Sequence, residues 1–470
     1  MSKYTPTIGL EIHAELKTDT KMFCGCKNDP HASESNSNVC PVCLAHPGTL
    51  PTVNESAVEK VIQFGVAVGS NIATFSEFDR KNYFYPDIPK AYQISQYAFP
   101  LVSGGEIAGV PLTRVHLEED TARSQHDTSE GSLVDFNRAG VPLMELVTEP
   151  EIHDADTAAS FAKELQLLLR TLGISDANME KGEMRVEANI SISDSDELGT
   201  KVEVKNLNSF KAVRGAIEYE IERQTVALES GNKLVQETRG WDEVKNRTFS
   251  QRSKETAKDY RYFPDPDIPK LQVDSYPRFN KSRLEEIMPI LPNKKRENYG
   301  NLGLNEEQVD TLIQNKVLDK YFHSVTEIET DLELLKLTAN YLITDFAPLL
   351  QNSEPELTLS PNNFLAIVKL AYNSKINSRT AKNLIMDLFD KDVDPEAYAR
   401  NNNLLQASDE ADLIPMVQEI IAQNQSVVDE YLAGKEASLK FLIGQGMKVS
   451  KGTANPQVLA KLLESEITKK

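Results

Sequence analysis

Four stretches within the first 275 residues alternate apolar and polar side chains with period two, and in each the polar side carries chemistry rather than bland serine and threonine. Ile8, Leu10, Ile12, Ala14 and Leu16 fall on one side of a predicted strand and Glu11, His13 and Glu15 on the other. Val115 and Leu117 oppose Arg114, His116 and Glu118. Val186, Ala188, Ile190 and Ile192 oppose Arg185, Glu187, Asn189 and Ser191, and Val202 and Val204 oppose Lys201, Glu203 and Lys205. Such alternation predicts an antiparallel sheet with one face on a core and the other wet.

Two helices are predicted to cover the apolar face. One starts at an N-cap near Asp154 or Asp156, runs through Phe161, Leu165, Leu168 and Leu169, and stops at Gly173. The other starts near Ser209, aligns Phe210, Val213, Ile217 and Ile221, and ends before Gly231. Sheet plus segregated helices reads as α+β. From about Ser282 helical spacing takes over, around Glu306–Ser324, Leu332–Leu349, Ser360–Asn373 and Arg379–Asp390, and it resumes after Leu404–Asp409. The expected organisation is a β-rich cradle over 1–280, with a metal-binding insertion at 24–43, an all-α domain over 281–405 and a small all-α tail over 406–470.

With 51 Lys and Arg against 71 Asp and Glu, the chain carries a net charge of −20 and cannot wear a general basic coat for nucleic acid. Gly434–Lys470 runs the other way: seven lysines face three glutamates, a local +4 that suits either a phosphate contact or a solvated helical face. No apolar run approaches a membrane span and the N-terminus has no secretory pattern, so a cytoplasmic location is expected.

All four cysteines lie in Cys24-x-Cys26 and Cys40-Pro-Val-Cys43. Two close pairs across a loop suit a closed, structural Zn²⁺ site; the alternatives are reduced thiols or one labile disulfide. Glu11 and His13, the Glu118-Glu119-Asp120 run, and Glu145 within the apolar PLMELV stretch can converge on a hard cation, Mg²⁺ or Mn²⁺. Buried, Glu145 would demand a partner or a metal; on the exposed side of a strand it would not. Walker-type, GxGxxG, HExxH and GxSxG patterns are absent, and GQGMKVSKG, although glycine-rich, matches no phosphate-loop spacing. NYFYPDIPK at Asn82 is echoed by YRYFPDPDIPK at Tyr260, which would fit two corners on opposite walls of one pocket.

IGLEIHAEL, the two Cys pairs, CLAHPGTLP, FDRKNYFYPDIPKAYQISQ, LEEDTARS, VDFNRAGVPLMELVTEP, VEVKNLNSF, DYRYFPDPDIP and GQGMKVSKGTANPQ together resemble the B subunit of the tRNA-dependent Asp/Glu amidotransferase, the GatCAB complex, over essentially the whole chain. The resemblance implies ATP- and Mg²⁺-dependent phosphorylation of the side-chain carboxylate of misacylated Glu-tRNA(Gln) or Asp-tRNA(Asn). Amidation follows, with ammonia from a glutaminase A subunit and a small C subunit clasping A and B. Its metal positions map to His13, Glu119 and Glu145, with Glu11 nearby; Glu187 stands where the family more often has Asp at a second metal site. Lys81 and Lys205 become candidates for neutralising ATP phosphates, and Lys435, Lys440, Lys448 and Lys451 for tRNA contact. A zinc-stabilised tRNA scaffold without chemistry and a metal-dependent hydrolase are the competing classes.

Overall fold

A computed structural model of the chain describes residues 3–128, 131–253, 257–351, 356–406, 410–450 and 454–469. Two compact units emerge, Met1–Pro292 and Asn293–Lys470.

The strands that build the site in the first unit are β1 (Thr5–Glu15), β2 (Asp79–Asn82), β3 (Tyr92–Ser95), β4 (Val110–Glu119), β5 (Pro142–Thr148), β6 (Met184–Ser193), β7 (Val202–Leu207), β8 (Glu237–Asp242), β9 (Arg247–Ser253) and β10 (Phe263–Pro264). Among the described residues the main sheet has ten strands. It runs β9-β8-β7-β6-β1-β5-β4, is extended by the two-residue strands Val102–Ser103 and Asn71–Ile72, and carries Glu106–Ile107 on β4. The most N-terminal strand is thus a central one.

The alternation in β1 is realised as predicted: Ile8, Leu10, Ile12 and Ala14 are fully buried in one core. Sequence alternation alone did not reveal α1 (Glu55–Ala67), which presses Gly65 so close to the short strands that a Cβ there would meet Ile72 and Val102 at 2.7 and 2.8 Å. Helix α2 (Ala155–Leu172) adds Phe161, Leu165 and Leu169 to the core, and α3 (Phe210–Glu229) adds Val213 and Ile217. The Asp154 carboxylate accepts from Thr157 N–H at the start of α2, and Gly173 closes it at φ +68°, a left-handed cap that glycine adopts at no steric cost. Ser209 caps α3 in the same way as Asp154 caps α2, through the Ala212 N–H.

One pair departs from the antiparallel expectation. β7 and β8 run parallel, because α3 intervenes between them as a crossover, whereas parallel neighbours cannot be joined by a tight turn. The two aromatic-Pro-Asp segments also differ from expectation. They stand side by side rather than on opposed walls: β10 pairs with β2 (Phe263 opposite Arg80), and Asn82 Nδ2 donates to the Tyr260 and Arg261 carbonyls at 3.1 and 2.9 Å. With β3 they form a three-stranded sheet.

The second unit is helical among its described residues. The apolar spacing read as one segment at Glu306–Ser324 is two helices, Glu306–Gln314 and Lys316–Thr326, because the Asn315 side chain caps the second. Toward the C-terminus, Glu410–Gln423, Gln425–Leu432, Ala437–Val449 and Pro456–Thr468 enclose a core of their own around Val417, Ile421, Leu442, Leu459 and Leu463. The glycines of GQGMKV are helical, not a loop. Gly446 lets Ala437–Val449 approach Leu459, whose Cδ2 would lie 2.9 Å from an added Cβ. Among the described residues no helix is long and apolar enough to cross a membrane.

Candidate functional site

Strand register assembles the site. His13 on β1 lies opposite Glu145 on β5, and Glu145 lies opposite His116 on β4, so three side chains from three strands line up on the face turned away from the core. Glu145 Oε2 is 3.3 Å from His13 Nε2 and 3.6 Å from His116 Nε2, while its Oε1 is 3.7 Å from Arg114. His13 Nε2 also lies 4.0 Å from both Glu11 and Glu118. The face predicted to be wet is largely enclosed: Glu145 is 5% exposed, Glu118 2% and His116 3%.

Such burial controls the charges. Burial opposes ionisation of Glu145, yet His116, His13 and Lys81 hold it well below the usual carboxylate range. His13 is desolvated too, but its hydrogen bond to Glu145 and the charges of Glu145, Glu187 and Glu11 lift it to about 9. Glu11, desolvated and beside Glu145 and Glu187, is pushed up to about 7. Competing protons and charges in so small a space are what a bound cation would replace. The donor set fits one: Glu11, His13 and Glu145 offer ligand atoms within 4.8 Å of one another, as do His116, Glu118 and Glu145, and among the described residues buried His116 Nδ1 has no hydrogen-bond partner.

Glu118, rather than Glu119, joins this cluster. Glu119, expected among the ligands, lies on the other side of the strand, since consecutive strand residues face opposite sides. Glu118 accepts from Ser95 Oγ at 2.6 Å and Gln93 Nε2 at 3.0 Å, and lies 3.9 Å from Lys81. Glu119 instead takes Lys90 Nζ at 2.6 Å and the Ile94 N–H at 3.0 Å. The alternation that grouped Arg114, His116 and Glu118 contained this answer, and it also contained His116.

Lys205 Nζ donates to Glu187 at 2.7 Å and lies 3.9 Å from Glu203; these two carboxylates and Glu11 form a third group close enough to share a cation. Lys81 lies 5.2 Å from the centroid of the Tyr260 ring. Two adjoining hollows of about 250 and 400 Å³ share Glu11, Lys81, Glu118, Lys205 and Tyr260, and together fall within the size range of small-ligand sites.

On the Glu119 side, Cys24, Cys26, Cys40 and Cys43 bring their sulfurs within 4.8 Å of one another without a disulfide. Cys40 and Cys43 Sγ are 3.9 Å apart, close to the ~3.8 Å edge of a tetrahedron with Zn–S of ~2.3 Å. The hydrogen bond from Cys24 lowers Cys43 to about 5, so one thiolate is already favoured. The four-thiol set fits structural zinc.

In the tail, Lys440 and Lys448 are exposed on Ala437–Val449, and exposed Lys435 pairs with Glu430 at 2.9 Å. Lys451 lies outside the described residues.

Residues 6–277, which span the sheet, its polar floor and the thiol cluster, match the family model of the GatB/GatE catalytic domain, and residues 320–467 match that of the GatB domain. The class is therefore that of a GatB/GatE-type catalytic chain. Over 99% of its length and 100% of the relative's, the chain is 42% identical to the B subunit of the aspartyl/glutamyl-tRNA(Asn/Gln) amidotransferase of Caldanaerobacter subterraneus subsp. tengcongensis. It is 41% identical to the Dehalococcoides mccartyi (strain CBDB1) protein of that name over 99% of both chains, and 40% identical to the Crocosphaera subtropica one over 98% of this chain and 97% of the relative. It belongs to the family of aspartyl/glutamyl-tRNA(Asn/Gln) amidotransferase B subunits.

Proposed function

We propose that this chain performs the kinase step of a tRNA-dependent amidation. With ATP and Mg²⁺ (or Mn²⁺) as co-reactants it phosphorylates the side-chain carboxylate of Glu on tRNA(Gln), of Asp on tRNA(Asn), or of both. Ammonia released from glutamine by a partner glutaminase subunit then displaces the phosphate. The names of its relatives and one observation support this reading: Glu145 sits between two imidazoles at the floor of a hollow that also holds Lys81, Lys205 and Arg114.

The chemistry explains why such a floor is needed. A carboxylate is a poor acceptor for ammonia because oxide would have to leave; phosphorylation converts the leaving group to phosphate. Glu145, His13, Glu11 and Glu118 would hold the divalent cation, with Glu187 and Glu203 flanking it. When bound, the ion neutralises charge on the phosphoryl oxygens. Lys81 and Lys205 attract the remaining phosphate charge. The aromatic wall, with Tyr97 and Tyr262 stacked at 4.3 Å and Tyr83 edge-on to Tyr260 at 6.0 Å, limits water that would hydrolyse an acyl phosphate. The four cysteines would hold zinc structurally, leaving no position for substrate. We further assign residues 406–470 as a tRNA-binding domain acting through Lys435, Lys440, Lys448 and Lys451, in a cytoplasmic heterotrimer with the glutaminase and a small third subunit.

The test is ATP-dependent amidation of Glu-tRNA(Gln) and Asp-tRNA(Asn) by the reconstituted complex. Glu145→Gln, nearly isosteric, should lower turnover by about 10²-fold or more with an unchanged melting temperature. Full turnover by that variant would overturn the assignment.

A further inference from the structure

Of the two arginines at the polar face, Arg114 and Arg185, Arg114 is the one whose donors are less engaged. Lys205 donates to Glu187 at 2.7 Å, and Arg185 on the adjoining face donates to Asp120 at 2.8 Å. Among the described residues Arg114 makes no hydrogen bond; its single ion pair is the 3.7 Å approach to Glu145 Oε1. It is held in place nonetheless. β4 is paired on both sides at this point, to Ser103 and to Val147, so the Arg114 backbone is fixed and its side chain shares a face with His116 and Glu118. A guanidinium presents five N–H donors in a planar fork that matches two oxygens of a phosphate. Here that fork stands beside the carboxylate oxygen opposite the one facing the two imidazoles, with a side chain 36% exposed and lining the hollow.

We propose that Arg114 is a catalytic residue that grips the phosphoryl group in transfer, a role that rests on the kinase reading above. In the step it serves, the bond between the γ-phosphorus of ATP and the β,γ-bridging oxygen breaks, and ADP keeps the electron pair. A bond forms from an oxygen of the ionised side-chain carboxylate to the same phosphorus, and no proton transfer is needed. The negative charge carried by the three peripheral phosphoryl oxygens is what a fork next to Glu145 is placed to meet. Lys81, 3.9 Å from Glu118, carries a single point charge and cannot span two of those oxygens.

The experiment compares the full chain, in its reconstituted complex, as wild type, Arg114→Ala and Arg114→Lys. Affinities for ADP and for the β,γ-imido analogue of ATP are measured by calorimetry with Mg²⁺ present, alongside steady-state amidation. Contact with the transferred group predicts that Arg114→Ala weakens the triphosphate analogue by about tenfold or more yet leaves ADP within about twofold. It also predicts a kcat about 10²–10³-fold lower, with Arg114→Lys recovering only a small part because it restores charge without the fork. Equal weakening of both nucleotides, or a kcat within about twofold of wild type, would overturn the proposal while leaving the kinase reading intact. A wild-type complex that binds neither nucleotide would overturn both.

Discussion

Glu118 and Glu119 are neighbours in the chain and serve opposite sides of one strand. Glu118 Oε1 accepts from Ser95 Oγ at 2.6 Å in the enclosed cluster, whereas Glu119 Oε2 takes Lys90 Nζ at 2.6 Å beside Gly140 and the thiol-bearing loop. Mn²⁺ affinity therefore separates them. Glu118→Gln should weaken binding by about tenfold or more, and Glu119→Gln should change it by less than about twofold, as measured by Mn²⁺ titration of the full chain. The reverse order would restore Glu119 to the metal site.

Zinc is the second point of test. The purified chain should carry one zinc, and Cys43→Ser should remove it and lower the melting temperature by about 5 °C or more, since a four-thiolate site couples metal binding to folding. A zinc-free wild type with four freely titratable thiols would show that the cysteines are simply reduced.

The Glu15 carboxyl gives a pH dependence with a definite sign. Burial first, then the charge of Asp120, pushes it up to about 8, although Arg185 and Arg138 act in the other direction. Its proton is held in the folded chain and lost from the unfolded one above about pH 4.5, so the cost to stability grows from there and levels off above about pH 8. Glu15→Gln should leave stability nearly unchanged at pH 4.5 and raise it at pH 8.5 by on the order of 2–3 kcal/mol, measured by chemical denaturation. Asp120 behaves oppositely. Despite its burial, Arg185 and Arg138 hold it at about 2, so its contribution is lost as pH falls from about 4 toward 2.

Neutralising Lys440 and Lys448 together should weaken tRNA binding and reduce the slope of log K against log salt by about one to two. Lys435→Ala should matter less, because Glu430 already meets its charge. An unchanged slope in the double variant would return both residues to the role of a solvated face.

Much of the cradle was legible because its strands alternate strictly and its two covering helices carry strong end signals at Asp154, Gly173 and Ser209. Local periodicity could not show the parallel β7–β8 pair, which depends on where α3 lies. Nor could it show that the polar face is enclosed, since the covering strands β2, β3 and β10 are short and come from distant parts of the chain. The site was legible as a set of residue types. The pleat alone separates Glu118 from Glu119, and His116 and Arg114 were visible on the same face as Glu118 without being given a role.

The position of β1 bears on how the chain is made. Its partners follow far behind it in the chain: Glu11 pairs with Val147 of β5, 136 residues on, and Thr7 with Ser191 of β6, 184 residues on. At roughly 5–20 residues per second, β1 waits about 7–27 s with both edges open and about 10–40 s until the second edge is covered. Its charged row of Glu11, His13 and Glu15 then does a job unrelated to catalysis, interrupting an apolar strand that would otherwise invite association with other nascent chains.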